Sequence, residues 1–320
     1  MAKLIILMGL PGSGKSACAA WLFAKEYMYS ETGVVIHSSD EIREELFGDA
    51  GSQEDNSRVF ELMHKRTRED LRKGKTVIYD ATNISRKARK AAINLASEDD
   101  KVEGYIVWAP INICIERDKK RARTVGEAVI DKMVRRWQSP WYDEGFDNLF
   151  IHCTDEEFDQ VQYISQAAQA MVIPHDNPHH TLGVAEHCRA AYDKMIVLAK
   201  GLPAEYFIDF VGKSLITAAY WHDIGKPYTK FYKKNHETCE LDLSHAHYYD
   251  HHCVGGYLSY GLFLCDTPLR PRKQDEESCF ISWLITNHME PFFNSKYYQK
   301  LEPKLKHCID LLHEADVQAH

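Results

Sequence analysis

The sequence contains no Cys-x-x-Cys pair, no apolar run long enough to cross a bilayer, no low-complexity tract and no excess of basic charge. Each absence removes a class of function. Nine cysteines, an odd number at scattered spacing, argue against a disulfide framework and against a thiolate zinc cluster, and predict free thiols in a reducing cytoplasm. The opening apolar run, Leu4-Ile5-Ile6-Leu7-Met8, is short and passes directly into glycines where a leader would show a cleavage site; it predicts a buried strand. A net charge of -8 supplies no general field for a polyanion, so any such ligand must be held locally. One stretch, 117–136, does carry a local excess, eight Lys/Arg against three acids. A solvated helix face with i,i+4 ion pairs accounts for that run equally well.

What is present suits two domains. With 320 residues, 44% of them apolar and 27% charged, the chain has the composition of a soluble globular protein and enough length for two cores. Across 1–155, short apolar runs at Leu4–Met8, Val34–His37, Thr76–Tyr79, Tyr105–Trp108 and Leu149–His152 alternate with amphipathic stretches, which predicts a parallel α/β sheet flanked by helices. Beyond about Glu156 helical periodicity takes over, punctuated by turns at Asp176-Asn177-Pro178, Gly201-Leu202-Pro203, Pro268-Leu269-Arg270-Pro271 and Glu290-Pro291. The expected division is an α/β domain over 1–155, a connecting helix or linker over 156–171 and an all-α domain over 172–320.

The first candidate site is Gly9-Leu10-Pro11-Gly12-Ser13-Gly14-Lys15-Ser16. Here the glycines let backbone N–H groups turn inward around a polyphosphate, Lys15 supplies a point charge at the β/γ oxygens, and Ser16 offers a hydroxyl to magnesium. A strand before the loop and a helix after it complete the required context. Strand two ends at Ser38-Ser39-Asp40-Glu41-Ile42-Arg43, which places Asp40 where open α/β sheets hold ligands, as a base for an acceptor hydroxyl, with Arg43 near an adjacent phosphate. Asp40 could also serve as a helix N-cap, and the two roles are compatible. Strand three ends at Asp80-Ala81-Thr82-Asn83; Asp80 is placed to orient magnesium or its water. Arg117 and Arg121, four apart, are expected on one helix face as a lid over the transferring phosphoryl group.

Residues 1 to about 152 resemble the polynucleotide kinase family in the loop Gly9–Ser16, in Asp40-x-x-Arg43, in Asp80-x-Thr82-Asn83 and in Arg117-x-x-x-Arg121. The resemblance implies ATP-dependent phosphorylation of a 5′-hydroxyl end of RNA or DNA. It places Gly9, Pro11, Gly12, Ser13, Gly14, Lys15, Ser16, Asp80 and Asn83 around ATP and magnesium. It makes Asp40 the general base, puts Arg43 on the acceptor's 3′-side phosphate and sets Arg117 and Arg121 in a lid. Kinases of small molecules share much of this layout.

The second candidate site is an ordered histidine series. His187 lies in Glu186-His187-Cys188, His222 and Asp223 in Trp221-His222-Asp223-Ile224-Gly225-Lys226, His251 ahead of Val254-Gly255-Gly256, His288 after Thr286-Asn287, and Asp316 in Glu314-Ala315-Asp316. Imidazole with carboxylate suits a borderline divalent ion, and a His/His/Asp/Asp set leaves coordination positions open for water and a phosphate oxygen. Any one of these histidines taken alone would be a satisfied core or surface imidazole.

The series resembles the HD-domain metallo-phosphohydrolases over about 172–320, most of all the HD domain attached to some tRNA nucleotidyltransferases. That resemblance implies His187, His222, Asp223 and Asp316 as ligands of a first metal such as Mn2+, Ni2+ or Co2+, and Lys226 on phosphate. His251 and His288 would serve a second metal or a substrate phosphate. His252 beside His251, and His179 beside His180, leave the choice of histidine open by one position.

Together the two sites imply a P-loop kinase domain followed by an all-α HD domain. Their joint task would be end healing, with RNA or DNA ends and ATP as substrates, a ligase downstream and a homo-oligomer as a further option. In such an enzyme the kinase phosphorylates 5′-hydroxyl ends, while the HD domain clears 3′-phosphates and 2′,3′-cyclic phosphates. Two other readings stay open: a metabolite or nucleotide kinase fused to an HD nucleotidase, and an ATP-gated HD hydrolase in signalling or defence.

Overall fold

The computed structural model describes residues 1–52, 54–177, 181–203, 210–234, 240–264 and 272–319, the side chains of 272–274 excepted. The turn at Pro268–Pro271, Pro178 and the pair His179/His180 lie outside the described residues. The chain forms two compact units, one of 1–133 with 140–158 and one of 134–139 with 159–320. Among the described residues no helix is long and apolar enough to cross a membrane.

The first unit is built on a parallel sheet of β1 (Lys3–Met8), β2 (Val34–Ser38), β3 (Thr76–Asp80), β4 (Lys101–Trp108) and β5 (Asn148–Cys153), in the order β2-β3-β1-β4-β5. β1 is central and is apolar at every position from Leu4 to Met8, all fully buried, as a strand covered on both faces must be. Helices α1 (Lys15–Tyr27), α2 (Ser39–Phe47), α3 (Asn56–Arg72), α4 (Arg86–Ile93), α5 (Ile111–Lys119) and α6 (Glu127–Val134) connect the strands. Cys18, Ala19 and Leu22 of α1 pack on Ile5, Leu7, Ile78 and Val107. Each strand predicted from the sequence lies within one of β1–β5.

One buried ion pair holds the turn after β3 in place. Arg89 of α4 donates through Nε and Nη2 to the two carboxylate oxygens of Glu144 at 2.7 and 2.6 Å, and through Nη1 to Asn83 O at 3.2 Å, with both side chains wholly buried. Removing only the arginine strands a carboxylate in the core, so Arg89→Ala should lower the unfolding free energy by about 3 kcal/mol. The double replacement Arg89→Met with Glu144→Leu should recover much of that loss in denaturant melts, because the wholly buried carboxylate leaves with its arginine and only Arg86, 3.7 Å from Glu144 and 12% exposed, loses a counterion.

The second unit is mainly helical: α7 (Gln160–Ala170), α8 (Val184–Ala199), α9 (Val211–Trp221), α10 (Lys226–Thr229), α11 (His251–Phe263), α12 (Arg272–Asn287), α13 (Glu290–Phe293), α14 (Lys296–Gln299) and α15 (Pro303–Val317). Its core is formed where α9 packs against α8, α12 and α15, and α11 against α12. The expectation of an all-α domain needs correction, because β6 (Phe231–Lys234) and β7 (Leu241–His247) pair as an antiparallel ribbon. Four residues are too few to show alternation in β6. In β7 the leucines of the two-residue period point to solvent, so the usual sign of a half-buried strand is inverted.

Candidate functional sites

In the first unit the phosphate loop bridges β1 and α1. Gly12 and Gly14 take positive φ, 78° and 90°, and a side chain at Gly12 would put its Cβ 2.2 Å from Cys114 O. The β1 end of the loop is tied to the turn after β3. Gly9 N donates to Thr82 O at 3.0 Å, and Asn83, in a left-handed conformation, donates from its amide to Leu7 O at 2.7 Å. Lys15 Nζ donates to Gly9 O and Leu10 O at 3.1 and 2.8 Å, so the ammonium sits within the curl of the loop. Burial holds Lys15 below the ordinary lysine value, although Asp80 opposes the shift. Asp80 is itself pushed up by burial, with Lys15 opposing. Ser13 Oγ is buried with no hydrogen-bond partner among the described residues.

A cleft of about 420 Å³ opens over this loop and is lined by Pro11, Lys15, Ser16, Asp40, Arg43 and Asp80, with Thr82, Phe60, Arg121 and Arg123 among the other walls. The sequence-predicted residues thus converge from the ends of β1, β2 and β3. Asp40 is largely exposed and accepts a 2.8 Å hydrogen bond from Arg43 Nη1, whose Nη2 donates to Asn56 Oδ1 at 3.0 Å. Ser38, not Asp40, caps α2, accepting from Glu41 N. That leaves the Asp40 carboxylate on the cleft side.

Two expectations are corrected. Helix α5 ends at Lys119, and the buried Asp118 carboxylate accepts from Val125 N and Gly126 N and turns the chain, so Arg117 and Arg121 do not share a helix face. Arg121 lines the cleft, whereas Arg117 donates to Thr154 Oγ1 and Thr154 O, both at 2.9 Å. Thr154 Oγ1 in turn donates to Ser13 O at 2.7 Å, so Arg117 braces the loop from behind. Asn83 likewise joins β1 to β3 and does not line the cleft. Thr154 was not found from the sequence, and Arg123 only as one member of the basic stretch 117–136; neither belongs to a motif, and the fold brings Thr154 to the loop and Arg123 to the cleft wall.

In the second unit the histidine series meets at one place. His187 comes from the first turn of α8, His222 and Asp223 from the end of α9, Lys226 from the start of α10, His251 from the first residue of α11, His288 from just past α12 and Asp316 from the last turn of α15. His187 Nε2 lies 2.8 Å from Asp316 Oδ1 and 3.7 Å from Asp223 Oδ2; His222 Nε2 lies 3.3 Å from both carboxylates. His251 Nε2 lies 3.3 Å from Asp223 Oδ1 and 3.2 Å from His288 Nε2. Two overlapping groups, His187/His222/Asp223 and Asp223/His251/His288, have donor atoms close enough to share a cation.

The tautomers say what fits there. Each Nδ1 faces a backbone carbonyl, Ala319 O for His187, Ala219 O for His222, Tyr248 O for His251 and Ile285 O for His288, at 2.7–3.1 Å, and must donate to it. Every neutral ring therefore turns an Nε2 lone pair toward the carboxylates or toward another lone pair. Those contacts repel unless a proton or a metal cation lies between them, and carbonyl-anchored imidazoles around carboxylates are how metal ligands are held. Burial works against charge on His222, but Asp223, with Asp316 adding to it, outweighs that and holds the imidazole well above its ordinary value. Burial also opposes ionisation of Asp223, yet Lys226 and His222 keep its carboxyl well below the usual range.

Lys226 Nζ sits 2.6 Å from Asp223 Oδ2 and 3.0 Å from His175 Nε2. The sequence did not reveal His175. Its Nδ1 donates to Leu182 O at 2.7 Å, so its Nε2 accepts from the lysine, a contact between residues 51 positions apart.

Residues 4–140 match the family model described as an AAA domain. The chain is 30% identical over 138 residues to L-seryl-tRNA(Sec) kinase of Methanococcus maripaludis, covering 43% of this chain and 53% of that protein. It is 28% identical over 164 residues to transcription factor bHLH140 of Arabidopsis thaliana, covering 49% of this chain and 16% of that protein. The chain thus spans about half or less of these curated relatives. Among solved structures, a chain of the Pnkp1/Rnl/Hen1 RNA repair complex aligns with TM-score 0.37 at 26% identity, covering 42% of this chain and 43% of that one. A gluconokinase from Sinorhizobium meliloti 1021 aligns with TM-score 0.33 at 16% identity, covering 48% and 83%. The parallel sheet, the phosphate loop and the family match together fit a P-loop kinase, which implies ATP and magnesium. The family match ends at residue 140, so the histidine centre rests on its own geometry.

Proposed function

We propose that the chain is an end-healing enzyme, an ATP-dependent kinase of 5′-hydroxyl nucleic-acid ends joined to an HD-type phosphohydrolase that clears 3′-phosphates or 2′,3′-cyclic phosphates. The observation that carries the kinase half is the convergence of Lys15, Asp40, Arg43, Asp80 and Arg121 on one cleft. In this reading the loop amides and Lys15 hold the triphosphate, Ser16 and Asp80 hold magnesium, and Arg121 takes up charge on the transferring group. Asp40 removes the proton of the attacking hydroxyl, and Arg43, held by Asn56, orients that carboxylate and meets the neighbouring phosphate. The similarity to a seryl-tRNA kinase supports an acceptor hydroxyl carried by RNA.

For the hydrolase half, His187, His222, Asp223 and Asp316 would hold a divalent cation, with His251 and His288 beside it, and Lys226 would meet a phosphate oxygen. Such a cation is a Lewis acid that acidifies its bound water. The chain's own part is to fix four imidazoles through backbone carbonyls and to keep Lys226 aimed, between Asp223 and His175.

Transfer of label from γ-labelled ATP to a 5′-hydroxyl oligoribonucleotide tests the kinase. Asp40→Asn should cut that transfer about 10²–10⁴-fold while ATP affinity stays. Equal labelling of free nucleosides or of gluconate would instead assign the cleft to a small-molecule acceptor, and labelling of seryl-tRNA alone would narrow it to that substrate.

A further inference from the structure

The ribbon β6–β7 turns the wrong face to water. Its inner face is satisfied: Ala246 is buried with its N–H donating to Asp176 O at 2.7 Å, and Tyr232, paired with it, donates to Asp176 Oδ2 at 2.6 Å. The outer face carries Phe231 paired with His247, and Tyr249 just past the strand, three rings with centroids 5.3–5.4 Å apart. Beyond a register shift in the ribbon, Leu241 and Leu243 are 54% and 64% exposed. Lys233 lies over the Tyr249 ring at 5.2 Å and donates to its hydroxyl at 3.0 Å. Apolar rings gathered on a solvent face, where a surface strand normally places polar residues, mark a surface that something covers.

The chemistry of the face and its position choose the occupant. Exposed rings present flat π surfaces, and Lys233 beside them presents a cation, which match the bases and the phosphates of an unpaired strand. The ribbon is also continuous with the histidine centre: Asp250, in a left-handed conformation (φ 63°), turns the chain from Tyr249 directly into His251. Arg135 pins the base of the ribbon by donating to Tyr249 O and Tyr228 O at 3.3 and 3.4 Å.

We propose that the outer face of β6–β7, with Phe231 and Tyr249 as its stacking rings, receives unpaired nucleotides of the nucleic-acid end whose terminal phosphate enters the histidine centre. The proposal rests on the hydrolase reading for what lies at the end of the strand, though not for the binding itself.

The test is fluorescence anisotropy with a single-stranded oligoribonucleotide carrying a 3′-phosphate and a 5′ dye, the dye denying it the kinase cleft as an acceptor. Phe231→Ala and Tyr249→Ala should each weaken binding about tenfold, within the range of one base stacked on one ring. Phe231→Tyr and Tyr249→Phe should bind like wild type, and Phe231→Leu, apolar but without a π face, should bind like the alanine variant. Unchanged affinity in both alanine variants, or no binding by wild type, overturns the platform. Full affinity in Phe231→Leu does so too, and points to a protein or a second copy as the occupant. Melting temperatures confirm that the exposed substitutions leave the fold intact. Phosphate release from the same oligonucleotide is scored separately: ring-dependent binding without release refutes the hydrolase and leaves the platform, while release with ring-independent binding does the reverse.

Discussion

Lys15→Met should lower phosphoryl transfer by about a thousandfold, the scale set by removing one preorganised charge from a transition state. The effect should fall on turnover more than on folding. Methionine keeps the length and most of the volume of the lysine stem, and the two hydrogen bonds lost go to Gly9 O and Leu10 O at the mouth of the loop, where water can replace the ammonium. What is not replaced is charge. Burial presses Lys15 toward neutrality and Asp80 toward protonation, and the attraction between the two opposes both shifts. Without the ammonium, Asp80 loses the nearest cation offsetting its burial and becomes a poorer magnesium partner, so one substitution weakens two supports of the triphosphate. Lys15→Arg should not rescue, because a planar guanidinium cannot enter a curl sized for an ammonium. Single-turnover transfer from labelled ATP, read beside equilibrium ATP binding and a melting curve, is the measurement. A Lys15→Met protein that transfers phosphate within tenfold of wild type would remove the loop from the mechanism.

How much of this was legible in the sequence depended on how local each cause is. The phosphate loop needs only its own glycines and the strand and helix on either side, all within residues 3–27, and β2 and β3 carry Asp40 and Asp80 at their ends by the same local logic. Arg117 and Arg121 were misjudged because the spacing of four assumes an unbroken helix. What breaks it is the buried Asp118 reaching forward to Val125 and Gly126, a contact that no propensity at residues 117–121 announces. The ligand-like histidines could be named from the His-Asp pair and the order of the series. His175 could not, since its role is defined by Lys226 across 51 residues. The ribbon was missed for a related reason: reading alternation assumes that apolar residues point inward, and in β7 Leu241 and Leu243 point outward. The crossing of residues 134–139 into the second unit was also hidden, because Trp137 and Ser139 look like an ordinary helix exit. Only in the fold does Ser139 Oγ meet Ser282 and Thr286 at 2.7 Å.

Asp223→Asn should abolish phosphate release from a 3′-phosphorylated end and strip the second unit of its metal. Its carboxylate meets four side chains of the centre: His222, His187 and Lys226 face its Oδ2, and His251 faces its Oδ1. Asparagine keeps the shape but offers one carbonyl oxygen and no charge, so the two candidate ligand groups lose the carboxylate they share. The prediction has to be separated from simple destabilisation, because Lys226 is itself buried and loses its counterion. Chelation makes the separation. A cation that binds only the folded unit stabilises it by roughly 2.7 kcal/mol at a hundredfold excess over its dissociation constant, so wild type should melt lower in EDTA and recover when Mn2+ is restored. Asp223→Asn should start lower and show neither response, since a site that binds nothing has nothing to lose. If the variant still shifts with EDTA and elemental analysis still finds a transition metal in it, the ligands lie elsewhere. If wild type shows no EDTA response, no retained metal and no phosphate release, then the four Nε2 lone pairs are satisfied by protons alone and the centre is an ionic lock between α8, α9, α11 and α15, with no catalytic part.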